Sequence, residues 1–322
     1  MTKEIGGYLE LEHFHGQEYY PDFPKVNLGR TALVWLLRSV GCRKLFMPYY
    51  ICDTVTDAVV KEGVEVMNYH LDEDLRPVFA AGAEPAKEDW LYLVNYYGQL
   101  SHEQIREYRA QYDNVIVDNA QAYYDPPAEG VHTIYTCRKF LGVSDGAYLA
   151  TDAPLCPNRE EDHSFEYMQH LLGRFEQDAS AWYSRMLEIA EGFEHTPVRR
   201  MSALTENLLR AIDDEEVIRK RRENYLTLQE LLPSDNPFTK RMPTAPFAYP
   251  YAHENGVELR RALAAQKIYV PTNWSVLLKT CPEDSLEYRW SADILPLPVD
   301  QRYGADDMKR IAEAIREFDR AR

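Results

Sequence analysis

Short apolar runs alternate with longer amphipathic stretches in the first half of the chain. The apolar runs that predict strands cover residues 44–48, 64–69, 90–98, 114–118, 132–136 and 146–151. Helical patterns between them cover residues 31–40 and 53–61, and Ser101 with Gln104 forms a capping box that predicts the start of a third helix. Strands that alternate with helices in this way are typical of a mostly parallel sheet with helices packed on its faces.

The pattern changes at about residue 160. Heptad-like spacing of apolar residues predicts long helices over residues 164–193 and 215–232. Farther along, proline-interrupted runs at residues 267–271 and 293–300 predict short strands, and residues 304–321 predict a closing amphipathic helix. This second half is therefore expected to be α+β.

From these two patterns we predict an α/β protein of two domains. Residues 1–195 are expected to form a large α/β domain, and residues 196–322 a smaller C-terminal α+β domain. Four consecutive basic residues, 219–222, lie inside a predicted helix and are flanked by Glu215 and Glu223. Such mixed charge predicts a solvent-exposed helix face.

Composition and charge narrow the class of protein. The chain has 322 residues, of which 45% are hydrophobic and 27% charged, as expected of a soluble globular protein. With 36 basic and 52 acidic residues the net charge is −16, so nucleic acid is not an expected partner. Neither an export signal nor a membrane span is predicted, since the longest apolar run is only Ala32 to Leu37.

Cysteine and histidine usage predict neither disulfides nor a metal site. The five cysteines are odd in number, scattered and never in a C-x-x-C pair, which fits the reducing cytoplasm. The nine histidines are equally dispersed, and the nearest pair, His13 and His15, has no third ligand nearby.

Three segments of the sheet-forming half could carry chemistry. Gly29, Arg30 and Thr31 open a helix, where free N–H groups can bind an anion, although a plain helix cap has the same pattern. Asp118 ends a predicted strand and Gln121 follows it. An aspartate there can be an N-cap, or can hold a protonated ring nitrogen at the carboxyl edge of the sheet.

The third segment runs from Thr136 to Lys139 and into a turn-rich loop ending at Gly146. A surface lysine in a loop is the ordinary interpretation. If Lys139 is desolvated, its amine can lose its proton near neutral pH and form a Schiff base with an aldehyde.

In this order the segments resemble one known family. The sequence has Gly29-Arg30-Thr31, PYYICDTV, VNYYGQ, DNAQAY, RKFLGVSDGAYLATD and RRMS. It is similar to the DegT/StrS (DegT/DnrJ) family of fold type I enzymes that use pyridoxal 5′-phosphate (PLP), best known as nucleotide-sugar aminotransferases. The resemblance spans about residues 6–318 and implies a large domain with a mostly parallel, seven-stranded-type sheet and a smaller C-terminal domain.

The resemblance implies a role for each site residue. Lys139 would form the Schiff base with PLP and then move the substrate proton. Asp118 would lie at the pyridine nitrogen, and Gln121 beside the phenolic oxygen. The phosphate would be held by Gly29, Arg30, Thr31 and Thr136.

The sequence departs from the family pattern at two places. The aromatic residue expected four positions after Pro48 is Cys52, so either Tyr50 stacks on the cofactor ring or the ring lies against Cys52. Val198 occupies the position of the family's asparagine, which reaches the phosphate across the subunit interface. What replaces that contact is left open by the sequence.

The function implied by the resemblance is transfer of an amino group from an amino-acid donor to a keto acceptor, by analogy a keto-sugar nucleotide. Two alternatives remain at this point: another PLP reaction, such as elimination or decarboxylation, and a non-catalytic binding or regulatory protein of the same fold. Family members are homodimers, so a homodimer that binds small molecules is expected here.

Overall fold

The computed structural model describes residues 5–158 and 160–322. Its first half is built on one sheet of eight strands in the order β1-β8-β7-β6-β5-β2-β3-β4. The strands are β1 (Lys25–Val26), β2 (Lys44–Pro48), β3 (Glu65–Leu71), β4 (Pro77–Val78), β5 (Trp90–Val94), β6 (Val115–Asp118), β7 (His132–Thr136) and β8 (Ala147–Ala150). The five central strands are parallel, and β1, β4 and β8 join antiparallel at the edges.

The central strands are apolar because the sheet is covered on both faces. Successive residues of one strand, such as Trp90 and Leu91 of β5, belong to the two different core clusters on opposite sides of the sheet. The helices of this half are α1 (Gly29–Val40), α2 (Asp53–Lys61) and α3 (His102–Gln111). The α3 helix starts with the predicted reciprocal cap of Ser101 and Gln104. The predicted α/β fold class is thus confirmed.

The region after β8 contains the remaining elements. They are α4 (Gln169–Glu176), α5 (Tyr183–Gly192), α6 (Ala203–Leu209), α7 (Asp214–Leu231), β9 (Tyr249–Ala252), α8 (Gly256–Ala265), α9 (Leu277–Thr280), α10 (Leu286–Asp293), β10 (Ile294–Leu297) and α11 (Ala305–Arg320). Strands β9 and β10 pair antiparallel in a second sheet. A separate core cluster joins this sheet to α7, α8 and α11. The domain boundary between residues 195 and 196 stays a prediction.

Two of the predicted elements are wrong. Residues 164–193 do not form one long helix, because Asp178 caps a turn through the N–H of Ala181 and the Trp182 indole packs directly on Gly173, which folds α5 back on α4. Residues 267–271 are not a strand. The left-handed conformation of Lys267, with a φ of 59°, ends α8 there, and the N–H of Ile268 bonds back to Leu263.

The loop from Lys139 to β8 is anchored by an aspartate. Asp145 is fully buried, and its carboxylate accepts hydrogen bonds from the backbone N–H of Ser202, the hydroxyl of Ser202 and the hydroxyl of Thr205. Ser202 in turn caps α6. These hydrogen bonds fasten the RRMS segment, residues 199–202, to the loop that follows Lys139. Two distant parts of the chain are joined at this loop.

Replacing Gly146 with alanine is expected to destabilise the fold by about 2 kcal/mol. Gly146 has a φ of 112°, and a Cβ atom there would lie 3.0 Å from Thr205 and 3.2 Å from the Cys137 sulfur. Gly142→Ala is the matched control, because a Cβ atom on Gly142 would meet nothing within 4 Å. Urea unfolding of both variants measures the difference. Equal stability of the two variants would contradict the packing described here.

Among the described helices, none is both long and apolar enough to cross a membrane.

Candidate active site

A cavity of about 200 Å³ lies at the carboxyl ends of the central strands. It is lined by Leu28, Gly29, Arg30, Ile51, Cys52, Thr54, Val55, Tyr92, Val94, Asp118, Ala120, Gln121, Thr136, Arg138, Lys139 and Trp274. Seven of the nine residues singled out from the sequence are in this lining. Thr31 and Tyr50 are the two that are not. This edge of a parallel sheet is where open α/β folds bind ligands.

Lys139 ends a short 3-10 turn, Cys137–Lys139, directly after β7. Its side chain lines the cavity and is exposed to solvent through it, but protein atoms lie closely around the amine. Burial therefore lowers the pKa of Lys139, and the nearby charge of Arg138 lowers it further, while Asp118 and Cys52 act in the opposite direction. A lower pKa leaves more of the amine neutral, and a neutral amine is the form that attacks an aldehyde.

The backbone beside Lys139 is held by a buried arginine. Arg221 lies on α7, donates to the carbonyl oxygen of Phe140 at 3.0 Å and stacks over the Phe140 ring at 4.6 Å. Gln301 donates to the same carbonyl at 2.9 Å. The predicted exposed face of residues 219–222 is therefore wrong at Arg221, which is only 1% exposed. It is correct at Arg219, which pairs with glutamates at the surface.

Asp118 is oriented by two donors. The hydroxyl of Tyr92 donates to Oδ2 at 2.7 Å, and the backbone N–H of Ala120 donates to Oδ1 at 2.8 Å. Burial raises the pKa of Tyr92 far above its usual value, so this phenol stays protonated and remains a donor. Sequence reasoning missed Tyr92. Tyr92 lies on β5, two residues before Val94, which pairs with Asp118 of β6, and only this pairing of strands brings it to Asp118.

Gln121 is buried and its amide has a defined direction. The backbone N–H of Tyr97 donates to Gln121 Oε1 at 2.9 Å. The Nε2 group is then the donor that Gln121 can offer to the cavity that it lines. Tyr97 itself has a φ of 50° and accepts a hydrogen bond on its hydroxyl from Asn273. The second half of the chain thus braces the strand end beside Gln121.

The N-terminus of α1 faces the same cavity through Gly29 and Arg30. The first N–H groups of a helix have no acceptor within the helix, so they are available to an anion. Thr31 has a different role from that expected for a ligand: its hydroxyl donates to the Asn27 side chain at 2.6 Å and accepts from the N–H of Leu28. Thr31 therefore closes the start of α1.

The aromatic residues that line the cavity are Tyr92 and Trp274, and Tyr50 is not among them. Tyr50 is 1% exposed and packs into an aromatic core with Trp274, at 4.2 Å between ring centroids, and with Trp290. Trp274 itself lines the cavity, as does Cys52. Trp274 lies in a loop more than 130 residues beyond Lys139 in the sequence. No local pattern marked it, because only folding of the chain places it at this edge.

Two arginines that line the cavity are organised around Phe193. The Nη2 group of Arg30 donates to the Phe193 carbonyl at 2.7 Å, and its Nη1 group to the Thr54 hydroxyl at 3.2 Å. The guanidinium of Arg138 lies over the Phe193 ring, 4.4 Å from its centroid. Phe193 is itself buried. Sequence reasoning missed Arg138, although it directly precedes Lys139.

Among the described residues, no three metal-ligating side chains converge on one point. The chemical groups that line the cavity are instead a lysine amine, a carboxylate, an amide, hydroxyls and two guanidinium groups. This set suits a small anionic ligand with a reactive carbonyl.

Comparisons with known proteins bear on this geometry. No protein-family model and no curated protein matches the sequence. Solved structures do match. S. venezuelae DesV superposes with a TM-score of 0.66 at 20% identity, over 92% of this chain and 84% of that one. A DegT DnrJ EryC1 StrS aminotransferase from Brucella abortus has a TM-score of 0.62 at 16% identity, over 92% and 85%.

Helicobacter pylori PseC, an aminotransferase involved in the biosynthesis of pseudoaminic acid, has a TM-score of 0.59 at 14% identity, over 91% of this chain and 85% of that one. The chain shares the fold of these aminotransferases. The fold implied by the family resemblance is thus confirmed over almost the whole length. At such low sequence identity the comparison shows the fold alone. The activity has to be inferred from the residues that line the cavity.

Proposed function

We propose that the protein is a PLP-dependent aminotransferase of the DegT/StrS type, which transfers an amino group from an amino-acid donor to a keto acceptor. The observation that carries this proposal is the convergence of Lys139, Asp118 and Gln121 on one cavity in a fold shared with solved aminotransferases. When bound, PLP supplies an electron sink that stabilises negative charge on the carbon bearing the substrate's amine.

The residues present fit the chemical demands of that cofactor. A lysine with a lowered pKa suits attachment of an aldehyde. A carboxylate held in place by Tyr92 suits a protonated ring nitrogen, which it would keep protonated. The N-terminus of α1 and the Thr136 hydroxyl, which lie together at the cavity, suit a phosphate. Each demand is met by a different element of the fold.

The chain's own residues then divide the work of the reaction. Lys139 Nζ would hold the cofactor, and its free amine would be the group that accepts the proton from the donor's α-carbon. Asp118 would supply the negative charge at the ring nitrogen of the cofactor. Trp274 and Ile51 give the cavity apolar surface, which would limit the water next to the reacting atoms.

The keto acceptor is proposed to be a sugar. Several of the solved structures that share this fold are described as sugar aminotransferases, including CalS13 from Micromonospora echinospora, and DesI was solved with its TDP-sugar product. The acceptor proposed for this chain is accordingly a keto-sugar carried on a nucleotide. Location in the cytoplasm stays a prediction.

A homodimer is part of the same proposal. Helices α4 and α5 and the 3-10 turn before α4 leave several large apolar side chains in solvent: Phe165, Leu172, Phe175, Tyr183 and Leu187. Phe175, on α4, is 91% exposed. Apolar side chains grouped in this way favour contact with another protein surface, and a second copy of the chain is the partner that the family resemblance implies.

An absorbance experiment tests the proposed function. Purified protein incubated with PLP is expected to gain a visible band, and borohydride is expected to fix the cofactor on the peptide that contains Lys139, as read by mass spectrometry. Addition of glutamate, the first donor to try, is expected to convert the band to that of the aminated cofactor and release a keto acid. A band that no amino acid changes would favour a binding protein, and release of another product would favour elimination or decarboxylation.

A further inference from the structure

Arg30 and Arg138 are two cations without an anionic partner in the described protein. Neither guanidinium forms a salt bridge with any described carboxylate, and no described residue accepts a hydrogen bond from Arg138. The Nε group of Arg30 is buried and also has no partner. A guanidinium has five N–H donors, and leaving them unsatisfied at a partly buried place is unfavourable. Arg138, like Arg30, lines the cavity.

The nearest acids do not neutralise this pair. Asp145 attracts Arg138, but its carboxylate is already occupied by the donors from Ser202 and Thr205. Glu194 attracts Arg30 without a direct ion pair. Burial lowers the pKa of Arg138 to about 10, and the positive charge of Arg30 contributes to the shift. The protein therefore holds two like charges close together at one cavity.

Phe193 fixes both cations in position. Its carbonyl oxygen takes one N–H of Arg30, and its ring supports the face of Arg138. Stacking of this kind leaves the edge of a guanidinium, where its hydrogen-bond donors are, free for a ligand. The edge is the part of arginine that binds phosphate oxygens in pairs.

We propose that Arg30 and Arg138 bind the phosphate group of the cofactor. This inference rests on the proposed function. Two cations match the charge of a phosphate monoester dianion, and both line the cavity that also contains the Gly29 end of α1 and Thr136. Arg138 directly precedes Lys139, and the side chains of both residues line this one cavity together with Arg30. The phosphate site is then completed by charge from the same chain.

Phosphate could also arrive on a nucleotide-bearing substrate, and the test separates the two sources. Dissociation constants of PLP and of pyridoxal, which lacks the phosphate, are measured by absorbance titration for the wild type, Arg30→Gln and Arg138→Gln. Inorganic phosphate and uridine diphosphate are titrated by calorimetry into the same proteins. Arg261→Gln is the matched control, because Arg261 is exposed on α8 and does not line the cavity. The substitution removes the same charge at another place in the protein.

Each arginine substitution is expected to raise the dissociation constant of PLP about tenfold to 100-fold and that of pyridoxal by no more than about twofold. It is also expected to weaken the binding of inorganic phosphate. Arg261→Gln is expected to bind all four ligands like the wild type. In the unmodified protein, inorganic phosphate is expected to compete with PLP and not with pyridoxal. This competition tests the site even where a variant fails to fold.

Three results would overturn the inference. The first is that the substitutions weaken the binding of PLP and of pyridoxal equally. The second is that inorganic phosphate competes with neither PLP nor pyridoxal. The third is loss of uridine diphosphate binding with an unchanged preference for PLP over pyridoxal, which would assign the pair to the substrate's phosphate. Failure of the wild type to attach PLP at Lys139 would instead refute the proposed function, and calorimetry with inorganic phosphate would still report on the arginine pair.

Discussion

Lys139→Ala is expected to abolish covalent attachment of PLP and to lower kcat for transamination by at least about 10²-fold to 10⁴-fold. The substitution removes both the amine that holds the cofactor and the group that moves the α-proton. The lowered pKa of Lys139 is what suits it to both tasks at neutral pH, because a larger fraction of the amine is unprotonated. Borohydride reduction followed by mass spectrometry measures attachment, and single-turnover absorbance measures proton transfer.

Lys87→Ala is the control for Lys139→Ala. Lys87 is also a lysine that faces an acid, Asp113, at 3.7 Å, but its side chain is 87% exposed. The control is expected to keep both attachment and turnover. Cofactor fixed by borohydride in Lys139→Ala at the wild-type level would show that another amine carries it, and the assignment of Lys139 would then be wrong.

Asp118→Asn is expected to lower kcat by about 10²-fold or more while PLP still attaches to Lys139. The amide has nearly the shape of the carboxylate but no negative charge, so it cannot keep the ring nitrogen of the cofactor protonated. Tyr92→Phe separates charge from orientation, because it removes one donor to Asp118 and leaves the charge. Its effect on kcat is expected to be about tenfold, since one hydrogen bond to a charged group is lost.

For Asp118→Asn and Tyr92→Phe, both kcat and the pH dependence of the cofactor's absorbance are measured. Asp118→Asn is expected to shift the protonation of the ring nitrogen to lower pH, whereas Tyr92→Phe is expected to leave it nearly in place. A rate for Asp118→Asn equal to that of the wild type would show that Asp118 is only a structural cap for the backbone N–H of Ala120. That result would remove a main support of the aminotransferase proposal.

Local signals explain which parts of the fold could be predicted. The Ser101 and Gln104 cap marked the start of α3 correctly, and the apolar run before Asp118 marked β6, because both depend on residues within one turn or one strand. The helix predicted over residues 164–193 failed for the opposite reason. Its apolar spacing was real, but a turn at Asp178 and the contact of Trp182 with Gly173 folded it into two.

The residues of the candidate active site also include some that could be predicted from the sequence and some that could not. Lys139, Asp118 and Gln121 could be located from the sequence because each follows a strand in a recognisable segment, and the carboxyl ends of neighbouring parallel strands meet at one edge. Tyr92 and Trp274 could not, since an aromatic residue in an apolar run or a loop has no distinguishing pattern. Their place in the lining follows from strand order and from packing of the second half of the chain on the first.

The sequence by itself determined the alternation of strands and helices along the first half of the chain and the position of Lys139 between two of the strands. The tertiary structure alone decided that Arg221 is buried against Phe140 and that Arg30 and Arg138 meet at Phe193. These contacts join residues from about 50 to more than 160 positions apart. Hydrophobic periodicity reports only on neighbours within a few residues, so such partners become visible only when the packed core brings distant segments together.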